Sequence, residues 1–478
     1  MANNERAPAH RTTPFPMAAP MAARVAALAA CLALAACGGG GSGGSGPPTA
    51  GDGPPAPDGS IAQDAPAGVV YLKRSASSQD WSFGRALAFS PDGSALAVSQ
   101  SSALELFTHR SGTWSWAQTL PFEWLDAPVP AFAADASLLV GLPGADADAA
   151  LPDAGLVQRF VPTGQGWALT ETWRPPAPTA QGRFGAAVSV SADGSVAVVG
   201  EAGAFTPGRF HVYRRSGGTW SLQQSVAPVS PQTGSLFAGQ AQVSADGSTI
   251  VVGAQHERSG DTGDPGDTSR PNAGAAFVYG FDPEAGAWRL QAYLKAPTPV
   301  ADAWFGSAVA ISGNGSTVVI GERFRGVEGW PGAGRAYVFR RGASGYALAQ
   351  AITSPQARDR RYFGGHALAL TPDGTTLAIG EIGDTSTGVG PGADPTQASR
   401  SWAGAAHVYR LEGGRFVHAQ YLKASNTGQG DLFGWSLALT NDAGTLAVGA
   451  PAEGSDSTGI GGDQADNSVL HRGAVYLY

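Results

Sequence analysis

From residue 68 to the end of the chain, apolar residues alternate with small or polar residues in short runs that are joined by turn motifs. FGAAVSVSADGSVAVVG (184–200) and FGSAVAISGNGSTVVIG (305–321) each contain two such runs. The Asp-Gly or Asn-Gly between the runs tolerates positive φ and predicts a tight hairpin. No window of this region has the apolar period of an amphipathic helix, so the pattern predicts an all-β fold.

Fixed intervals define a repeating unit of four strands. Each hairpin is followed by a loop of variable length and a third strand such as GRAYVFR (334–340). A fourth strand then begins with an aromatic residue, 17 residues before the next Phe-Gly. The five pairs with this interval are Trp167–Phe184, Trp220–Phe237, Trp288–Phe305, Tyr346–Phe363 and Phe416–Phe433. The constant place of the aromatic residue, which Trp114 shares, favours packing between neighbouring units over a carbohydrate platform.

Seven such units fit between residues 68 and 478. The second is degenerate, with LDAPVPAFAADASLLVG (125–141) where the other units have Phe-Gly. Because one four-stranded sheet cannot bury its faces alone, repeats of this size predict a β-propeller. We therefore expect a seven-bladed β-propeller of four-stranded blades; an eight-bladed ring or two smaller sandwiches are the alternatives.

The two ends of the repeat region predict how the ring closes. The last unit stops at Tyr478, after its third strand. Its missing fourth strand resembles Gly68–Lys73, because Tyr-Leu-Lys precedes Phe-Gly by the same interval at Tyr71, Tyr293 and Tyr421. An unpaired strand edge is a liability. We expect residues 69–73 to pair with 473–478 and complete the last blade.

The order Phe-Gly, strand, Val-Gly-Ala-Pro, loop and Gly-Ala-Val-Tyr resembles the FG-GAP repeats of integrin α-subunit propellers and bacterial secreted proteins. The last unit carries it best, in Phe433-Gly434, 448–451 and 473–476. The resemblance implies a propeller with calcium loops of the DxDxDGxxD type. Here those places hold short turns such as SADGS, with one carboxylate at most, whereas calcium takes six to eight oxygen ligands. No cofactor is predicted, and a calcium requirement is left open.

The N-terminal segment predicts export. The apolar run VAALAACLALAAC after Arg24 is short for a membrane span and has the character of a signal peptide. Leu34-Ala35-Ala36-Cys37 resembles a bacterial lipobox, which implies cleavage before Cys37 and lipidation of that residue; an ordinary signal peptide with a chance cysteine is the alternative. Translation could start at Met1, Met17 or Met21.

These features divide the chain into a signal peptide (1–36), a lipidated tether rich in Gly, Ser and Pro (37–67) and the propeller (68–478). Gly38 after the anchor cysteine, in place of Asp, suggests the outer membrane in lipoproteins that resemble this one. We expect a cell-envelope lipoprotein, periplasmic or surface-facing, that contacts the membrane through its anchor and is a monomer.

Charge and motifs exclude several functions. The net charge is −8 and no basic run occurs, so nucleic-acid binding is not expected. The only cysteines, Cys31 and Cys37, leave no disulfide in the mature chain. No GxSxG, HExxH or P-loop motif is present, although a propeller enzyme could assemble a site from several blades.

The loops between second and third strands vary most, and long variable loops on a rigid scaffold commonly bind ligands. The longest lie at 254–274, 381–404 and 450–473. We expect a non-enzymatic binding or adhesion scaffold that contacts a protein or glycan through this face. The alternatives are a hydrolase or lyase for envelope polysaccharide, or a structural partner in envelope assembly.

Two sets of acidic residues are candidate sites. The first set lies in the long loops and could bind a cation or a cationic partner; the alternative is that its members form solvated turns. It consists of Asp463, Asp466 and Asn467, together with Asp456, Asp261, Asp264 and Asp267. Glu201, Glu322 and Glu381 each follow the Val-Gly or Ile-Gly of their unit. They could form an acidic rim around the ring opening, or each could cap its own loop. No catalytic residue and no firm metal ligand are predicted.

Overall fold

The computed structural model describes residues 68–76, 81–123, 126–260 and 263–478. The predicted signal peptide, Cys37, the tether and Asp261 lie outside these residues. Within them, the chain forms strands β1–β28, which pair as seven antiparallel four-stranded sheets. No helix in the described part is long and apolar enough to cross a membrane.

Six blades are continuous in sequence, and the predicted degenerate blade two is a complete four-stranded sheet. Blade one contains β2 (Leu87–Phe89), β3 (Ala95–Ser99), β4 (Ala103–Arg110) and β5 (Thr113–Pro121). Blade two contains β6 (Val129–Phe132), β7 (Leu138–Leu142), β8 (Leu156–Thr163) and β9 (Gly166–Trp173). Blade three contains β10 (Phe184–Val190), β11 (Val196–Glu201), β12 (Arg209–Ser216) and β13 (Thr219–Val226).

Blades four to six follow the same order. Blade four contains β14 (Gln240–Val243), β15 (Thr249–Ala254), β16 (Ala275–Asp282) and β17 (Ala287–Leu294). Blade five contains β18 (Phe305–Ile311), β19 (Thr317–Glu322), β20 (Arg335–Gly342) and β21 (Gly345–Ile352). Blade six contains β22 (Leu368–Leu370), β23 (Thr376–Glu381), β24 (Ala405–Glu412) and β25 (Arg415–Leu422).

Blade seven confirms the predicted closure. It contains β26 (Ser436–Leu439), β27 (Leu446–Ala450), β28 (Ala474–Leu477) and, as its outer strand, β1 (Val70–Leu72). Val70 pairs with Leu477, Tyr71 with Tyr476 and Leu72 with Val475. The two ends of the repeat region therefore share one sheet, which leaves no missing fourth strand.

The first strands form the inner ring of the propeller. Each contacts the first strand of the next blade, from β2 through β6, β10, β14, β18 and β22 to β26, which contacts β2 again. The apolar core lies between neighbouring sheets: one cluster joins Ala308 and Val319 of blade five to Leu377 and Ile379 of blade six. Packing between blades, not within one blade, thus stabilises the fold.

The Phe at the start of a blade fills the junction between two blades. It is followed by Gly in five blades and by Ala238 in blade four. These phenylalanines are fully buried at all six positions: Phe83, Phe184, Phe237, Phe305, Phe363 and Phe433. The Phe433 amide donates to Ala403 O of the preceding blade (3.1 Å), and four of the other five have an equivalent bond to the preceding blade. Burial of a Phe side chain contributes about 2 to 3 kcal/mol, so the repeated Phe is a structural signature of the junction.

Candidate functional site

The strand order gives the propeller two unlike faces. The tight Asp-Gly turns and the turns between third and fourth strands lie at one end of the blades. The loops between second and third strands and the links between blades lie at the other end, which we call the long-loop face. Its longest loops are 255–274, 382–404 and 451–473, in blades four, six and seven.

Each of these three loops is fastened at its base by a buried ion pair. Lys295 Nζ lies 2.8 Å from Glu257 Oε2, Lys423 Nζ 3.0 Å from Asp384 Oδ1 and Lys73 Nζ 2.6 Å from Glu453 Oε2. The lysines are those of the Tyr-Leu-Lys triplets at the ends of the fourth strands. Each pair therefore ties a long loop to the outer strand of its own blade.

Hydroxyl groups complete the anchors. Tyr421 Oη lies 2.6 Å from Ser386 Oγ, two residues after Asp384, and Tyr71 Oη donates to Glu453 Oε1 (3.0 Å). Lys295 Nζ also donates to Gly274 O (2.6 Å), at the far end of its loop. Such buried charges are stable only when paired and hydrogen-bonded, so these contacts hold both ends of the loops in one arrangement.

The sequence prediction missed these anchors, although a signal for them exists. Glu257, Asp384 and Glu453 each lie four residues after the glycine of Val-Gly or Ile-Gly, and a serine follows two residues later. This acid-x-Ser pattern occurs in the three blades that end in Tyr-Leu-Lys. Their co-occurrence could have identified the pairs before the structure was known.

The loops of blades six and seven also bond to the outer strands through backbone groups. Gly390 N donates to Ala424 O (3.1 Å) and Gly392 N to Tyr421 O (3.0 Å). In blade seven, Lys73 N donates to Gly459 O (2.8 Å) and Gly461 N to Tyr71 O (2.9 Å). These loops cover the ends of otherwise open strand edges, and they are pre-organised on the scaffold.

The anchors of blades six and seven meet at Asp431, which lies in the link between the two blades. Burial and the nearby charge of Glu453 together raise the pKa of Asp431 to about 8, although the bond from the Gly428 amide and the charges of Lys423 and Lys73 oppose the shift. Burial lowers the pKa of Lys423, against the effect of Asp384. Asp431 is therefore largely protonated near neutral pH, within a cluster of paired charges.

The structure places the three predicted rim glutamates inside their blades. Glu201, Glu322 and Glu381 are each exposed by 2% or less. Glu322 Oε2 accepts a bond from Tyr337 Oη (2.5 Å). Burial raises the pKa of Glu322 to about 6, although the Tyr337 bond and nearby arginines counter it. The three carboxylates bond within the propeller and do not face solvent at the opening.

Glu201 belongs to a hydrogen-bonded chain that resembles a catalytic triad. His211 Nε2 donates to Glu201 Oε2 (2.8 Å), and Ser225 Oγ lies 2.8 Å from His211 Nδ1. Blade six repeats the Glu–His part without the serine: His407 Nε2 lies 2.7 Å from Glu381 Oε2. Because the pair recurs where the serine is absent, it is a structural link between second and third strands.

The predicted acidic residues of blade seven accept bonds from their own loop. Asp466 Oδ2 accepts the Asp456 amide (2.8 Å) and Oδ1 accepts the Ser468 amide (2.9 Å). Burial alone would raise the pKa of Asp466, but these bonds and that of the Ser468 hydroxyl lower it overall. Asp456 pairs with Arg74 and with Arg472 (3.1 Å), and Asp463 Oδ1 accepts the Ala465 amide (2.9 Å).

The predicted acidic residues of blade four behave in the same way. Asp264 Oδ1 accepts the Gly266 amide (2.7 Å), and Asp267 Oδ2 accepts the Gly260 amide (2.7 Å). Asn467 belongs to the long loop of blade seven. Its Oδ1 lies 3.1 Å from the position that a Cβ on Gly454 would occupy. The structure brings no three His, Cys, Asp or Glu side chains of its described part together as a metal site.

The Asp-Gly turns on the opposite face follow one scheme. Ser191 Oγ donates to Asp193 Oδ1 (2.6 Å), and the Ser195 amide donates to the same oxygen (2.9 Å). Equivalent bonds recur at Asp92 and Asp246. These carboxylates stabilise turns.

The aromatic residues that begin fourth strands pack between blades, as their constant place predicts. Trp288 is 3% exposed, and its ring contacts that of Phe281 in its own blade in a tilted arrangement. Gln224 of the preceding blade accepts the Trp288 amide (2.7 Å) through Oε1. Gln118 and Gln350 bind Trp167 and Phe416 in the same way. The outer strands are thus joined around part of the rim.

Exposed apolar residues are distributed unequally between the faces. In the described part of the chain, eleven large apolar side chains are exposed. Five lie on outer strands: Trp116, Leu169, Leu222, Leu348 and Val417. The other six lie in loops and links of the long-loop face: Phe205, Val229, Val300, Trp330, Ile460 and Leu470. None lies in the turns of the opposite face.

Comparisons with known proteins agree with this architecture. Residues 288–339, from β17 into β20, match the FG-GAP repeat family. No curated protein sequence matches the chain. Hydrazine synthase of Kuenenia stuttgartiensis is 14% identical, with 78% of this chain and 94% of that chain covered and a TM-score of 0.51.

A second solved structure is the β-propeller domain of Cps50 (Swd1) from Myceliophteria thermophila. It is 9% identical, with 86% of this chain and 99% of that chain covered and a TM-score of 0.52. At these identities the likeness concerns the fold alone. The chain is therefore a seven-bladed β-propeller with an FG-GAP repeat.

Proposed function

We propose that this protein is a binding scaffold of a bacterial cell envelope that recognises a protein or glycan partner through its long-loop face. The distribution of exposed apolar side chains carries this proposal. Clusters of exposed apolar residues on a soluble domain commonly mark interaction surfaces. Six of the eleven exposed apolar side chains in the described part of the chain lie on this face, and none lies in the turns of the opposite face.

The anchored loops support the same face. A loop that is ordered before binding loses less conformational entropy when its partner binds. The ion pairs of Lys295, Lys423 and Lys73 hold the three longest loops. The loop of blade seven carries the exposed Ile460 and Leu470. Long loops with rigid bases are suited to a recognition surface on a rigid ring.

The cellular setting is part of the proposal. The lipobox-like sequence before Cys37 and the Gly38 that follows it support an outer-membrane lipid anchor, and residues 37–67 would connect that anchor to the propeller. An adhesive or scaffolding role is compatible with such a position. No nucleic-acid partner and no cofactor are proposed.

A comparison of two matched surface variants tests the function. One variant changes Phe205, Ile460 and Leu470 to Ser, on the long-loop face. The control changes Trp116, Leu222 and Leu348 to Ser, on the outer strands. Both would be tested on a glycan array and on isolated outer-membrane vesicles. We expect the first variant to lose at least about tenfold in binding and the control to bind like the wild type; loss in the control alone would refute the proposal.

A further inference from the structure

The innermost strands of the ring begin on the long-loop face. The residue before each Phe-Gly lies where the chain enters the inner ring, and Trp304 and Tyr362 occupy this place in blades five and six. We use the name central mouth for six residues at this end of the inner strands: Arg85, Trp304, Arg323, Tyr362, His366 and Trp435.

A continuous arc of rings lines one side of the mouth. The Trp304 ring centroid lies 4.6 Å from those of His256 and Phe324. Phe324 is 5.2 Å from Tyr362, which stacks on Trp402 at 5.4 Å. Trp304, Phe324 and Trp402 are only partly buried, so ring surface remains available to a ligand.

Arg323 lies within this arc. Its guanidinium is 5.6 Å from the Trp304 ring, 4.9 Å from Phe324 and 5.3 Å from Tyr362. Gly365, at the start of blade six, leaves room for Arg323, because a Cβ on Gly365 would lie only 2.6 Å from Arg323 Cβ. Three rings therefore hold a positive charge at a fixed place in the mouth.

A second cationic group, Arg85, lies beside the Trp435 ring. The Arg85 guanidinium lies 6.0 Å from the Trp435 ring, and His366 lies 4.3 Å from the same ring. Arg85 forms no ion pair with any residue that the structure describes. Burial lowers the pKa of His366 well below its usual value, and the charges of Arg323 and Arg85 lower it further. The positive charge of the mouth thus comes from two arginines that both act on one histidine.

We propose that the central mouth binds an acidic saccharide, a pyranose ring that bears a carboxylate. The rings of Trp304 and Trp435 would stack on the apolar face of the sugar, and Arg85 would bind its carboxylate. The charge of Arg323, which is 7% exposed, would favour an acidic ligand without direct contact. This inference rests on the proposed function of the long-loop face and names the ligand class for its centre.

Charge and shape distinguish this ligand from others. The whole chain carries a net charge of −8, so a mouth with two arginines is a local reversal of sign. A guanidinium matches a carboxylate in bidentate geometry, which selects against neutral sugars and cations. Partly exposed rings at the same place favour a ligand with a flat apolar face over a small inorganic anion.

Calorimetric titration with trigalacturonate tests the proposal, and its methyl ester serves as the matched neutral probe. We expect the wild type to bind the acid about tenfold or more tightly than the ester, because one charge-assisted contact is worth about that factor. Arg85→Gln and Trp304→Ala should each weaken binding of the acid by roughly tenfold. Trp116→Ala and Arg289→Gln, on outer strands, should bind like the wild type, and thermal melts verify that each variant folds.

Two outcomes overturn the inference. If the acid and ester bind equally, or if the wild type does not bind the acid at millimolar concentration, the mouth is not an acidic-saccharide site. If the Phe205, Ile460 and Leu470 surface variant loses binding of the acid while Arg85→Gln retains it, the mouth is wrong but the long-loop face stands. The proposed function fails separately, through the face-specific comparison described above.

Discussion

At the scale of single residues, the propeller depends on charges buried in pairs. The Lys295 and Glu257 side chains are 1% and 4% exposed, and no solvent compensates if one is removed. A buried pair adds little net stability compared with apolar residues of the same shape, but a lone buried charge is costly. The pairs therefore fix the position of the loops more than they raise the stability of the fold.

Removal of one member of a pair is expected to cost more than removal of both. Lys295→Met leaves Glu257 buried without its partner and should destabilise the protein by about 3 to 5 kcal/mol. Lys295→Met with Glu257→Gln should recover most of that loss. Thermal unfolding measures both, with Arg289→Gln, whose side chain is 65% exposed, as the control. Equal losses in the single and double variants would contradict a coupled pair.

Asp431 is expected to make stability depend on pH. Its pKa is about 8 in the folded protein and about 3.9 when unfolded. The folded state thus binds this proton more tightly. The contribution of Asp431 to stability is therefore fully present below about pH 4 and is lost as the pH rises to about 8, by at most about 1.4 kcal/mol per pH unit.

Asp431→Asn cannot titrate at this position and should lack the pH-dependent contribution of Asp431 to stability. The difference in melting temperature between Asp431→Asn and the wild type should therefore grow in favour of the variant from pH 5 to pH 8. Glu453, Lys423 and Lys73, which face Asp431, are present in both proteins. A difference that stays constant over this range would show that Asp431 is ionised throughout.

At the scale of elements, three glycines at each of five junctions allow neighbouring blades to touch. A Cβ on Gly380 of β23 would lie 2.1 Å from Gly434 O of the next blade. A Cβ on Gly434 would lie 2.2 Å from Ala405 O, and one on Gly404 would lie 2.1 Å from Phe433 O. The repeated Phe-Gly, Val-Gly and Gly-Ala elements are thus three parts of one close contact.

The junction between blades one and two confirms that these glycines act together. Blade two has no Phe-Gly. Ser99 and Ser102 of blade one stand where other blades have the second-strand glycine and the glycine before the third strand. Because no Phe-Gly backbone of blade two approaches these positions, they do not require glycine, and serine occupies both.

Gly404 and Gly414 separate the two reasons for a glycine. Both have positive φ, 80° and 82°, but no heavy atom lies within 4 Å of a Cβ on Gly414. Gly414→Ala should cost about 1 to 2 kcal/mol for backbone strain alone. Gly404→Ala adds a clash with Phe433 and should cost roughly 3 kcal/mol or more. Chemical denaturation measures both; similar losses would argue against close contact at the junction.

The sequence predicted the strands and missed the loop anchors for a physical reason. Alternation, turn residues and fixed intervals are local, so they identified blade two despite its degenerate start and the pairing of Val70 with Leu477. An anchor joins residues across a loop of variable length, as with Glu257 and Lys295, or across the whole ring, as with Glu453 and Lys73. Only the offset from the preceding glycine is constant.

The same limit applies to the acidic candidates. Glu201, Glu322 and Glu381 were recognised as equivalent positions, but the direction of a side chain at a strand end depends on the third strand. His211, Tyr337 and His407 turn these carboxylates inward. The central mouth left no periodic trace, since Trp304 and Arg323 of blade five and Trp435 of blade seven occupy unlike positions in their blades.

At the scale of the whole molecule, β1 closes the ring. Lys73 and Arg74 bond to Glu453 and Asp456 of the last blade, and the tilted rings of Tyr71 and Tyr476 lie 5.3 Å apart. Removal of β1 exposes the edge of β28 and leaves Glu453 buried without its lysine. A chain that starts at residue 74 should therefore aggregate or melt far below one that starts at residue 68. Equal melting temperatures would contradict closure by β1.

The proposed anchor predicts where the protein resides in its cell. Wild-type protein should incorporate an alkyne-labelled fatty acid and fractionate with membranes. Cys37→Ser should abolish labelling and release the protein into the soluble fraction, whereas Cys31→Ser, in the predicted signal peptide, should retain both properties. Membrane-bound, unlabelled wild-type protein would refute lipidation at Cys37.

We propose that partners bind at the long-loop face. Hydroxyl-radical footprinting can locate this surface on the propeller, free and with a partner found on the glycan array or outer-membrane vesicles. We expect the partner to protect Phe205, Trp330, Ile460 and Leu470 from oxidation and to leave the outer-strand residues Trp116 and Leu348 unchanged. Protection at the turns 191–195 and 244–248, with the long-loop face unchanged, would contradict it.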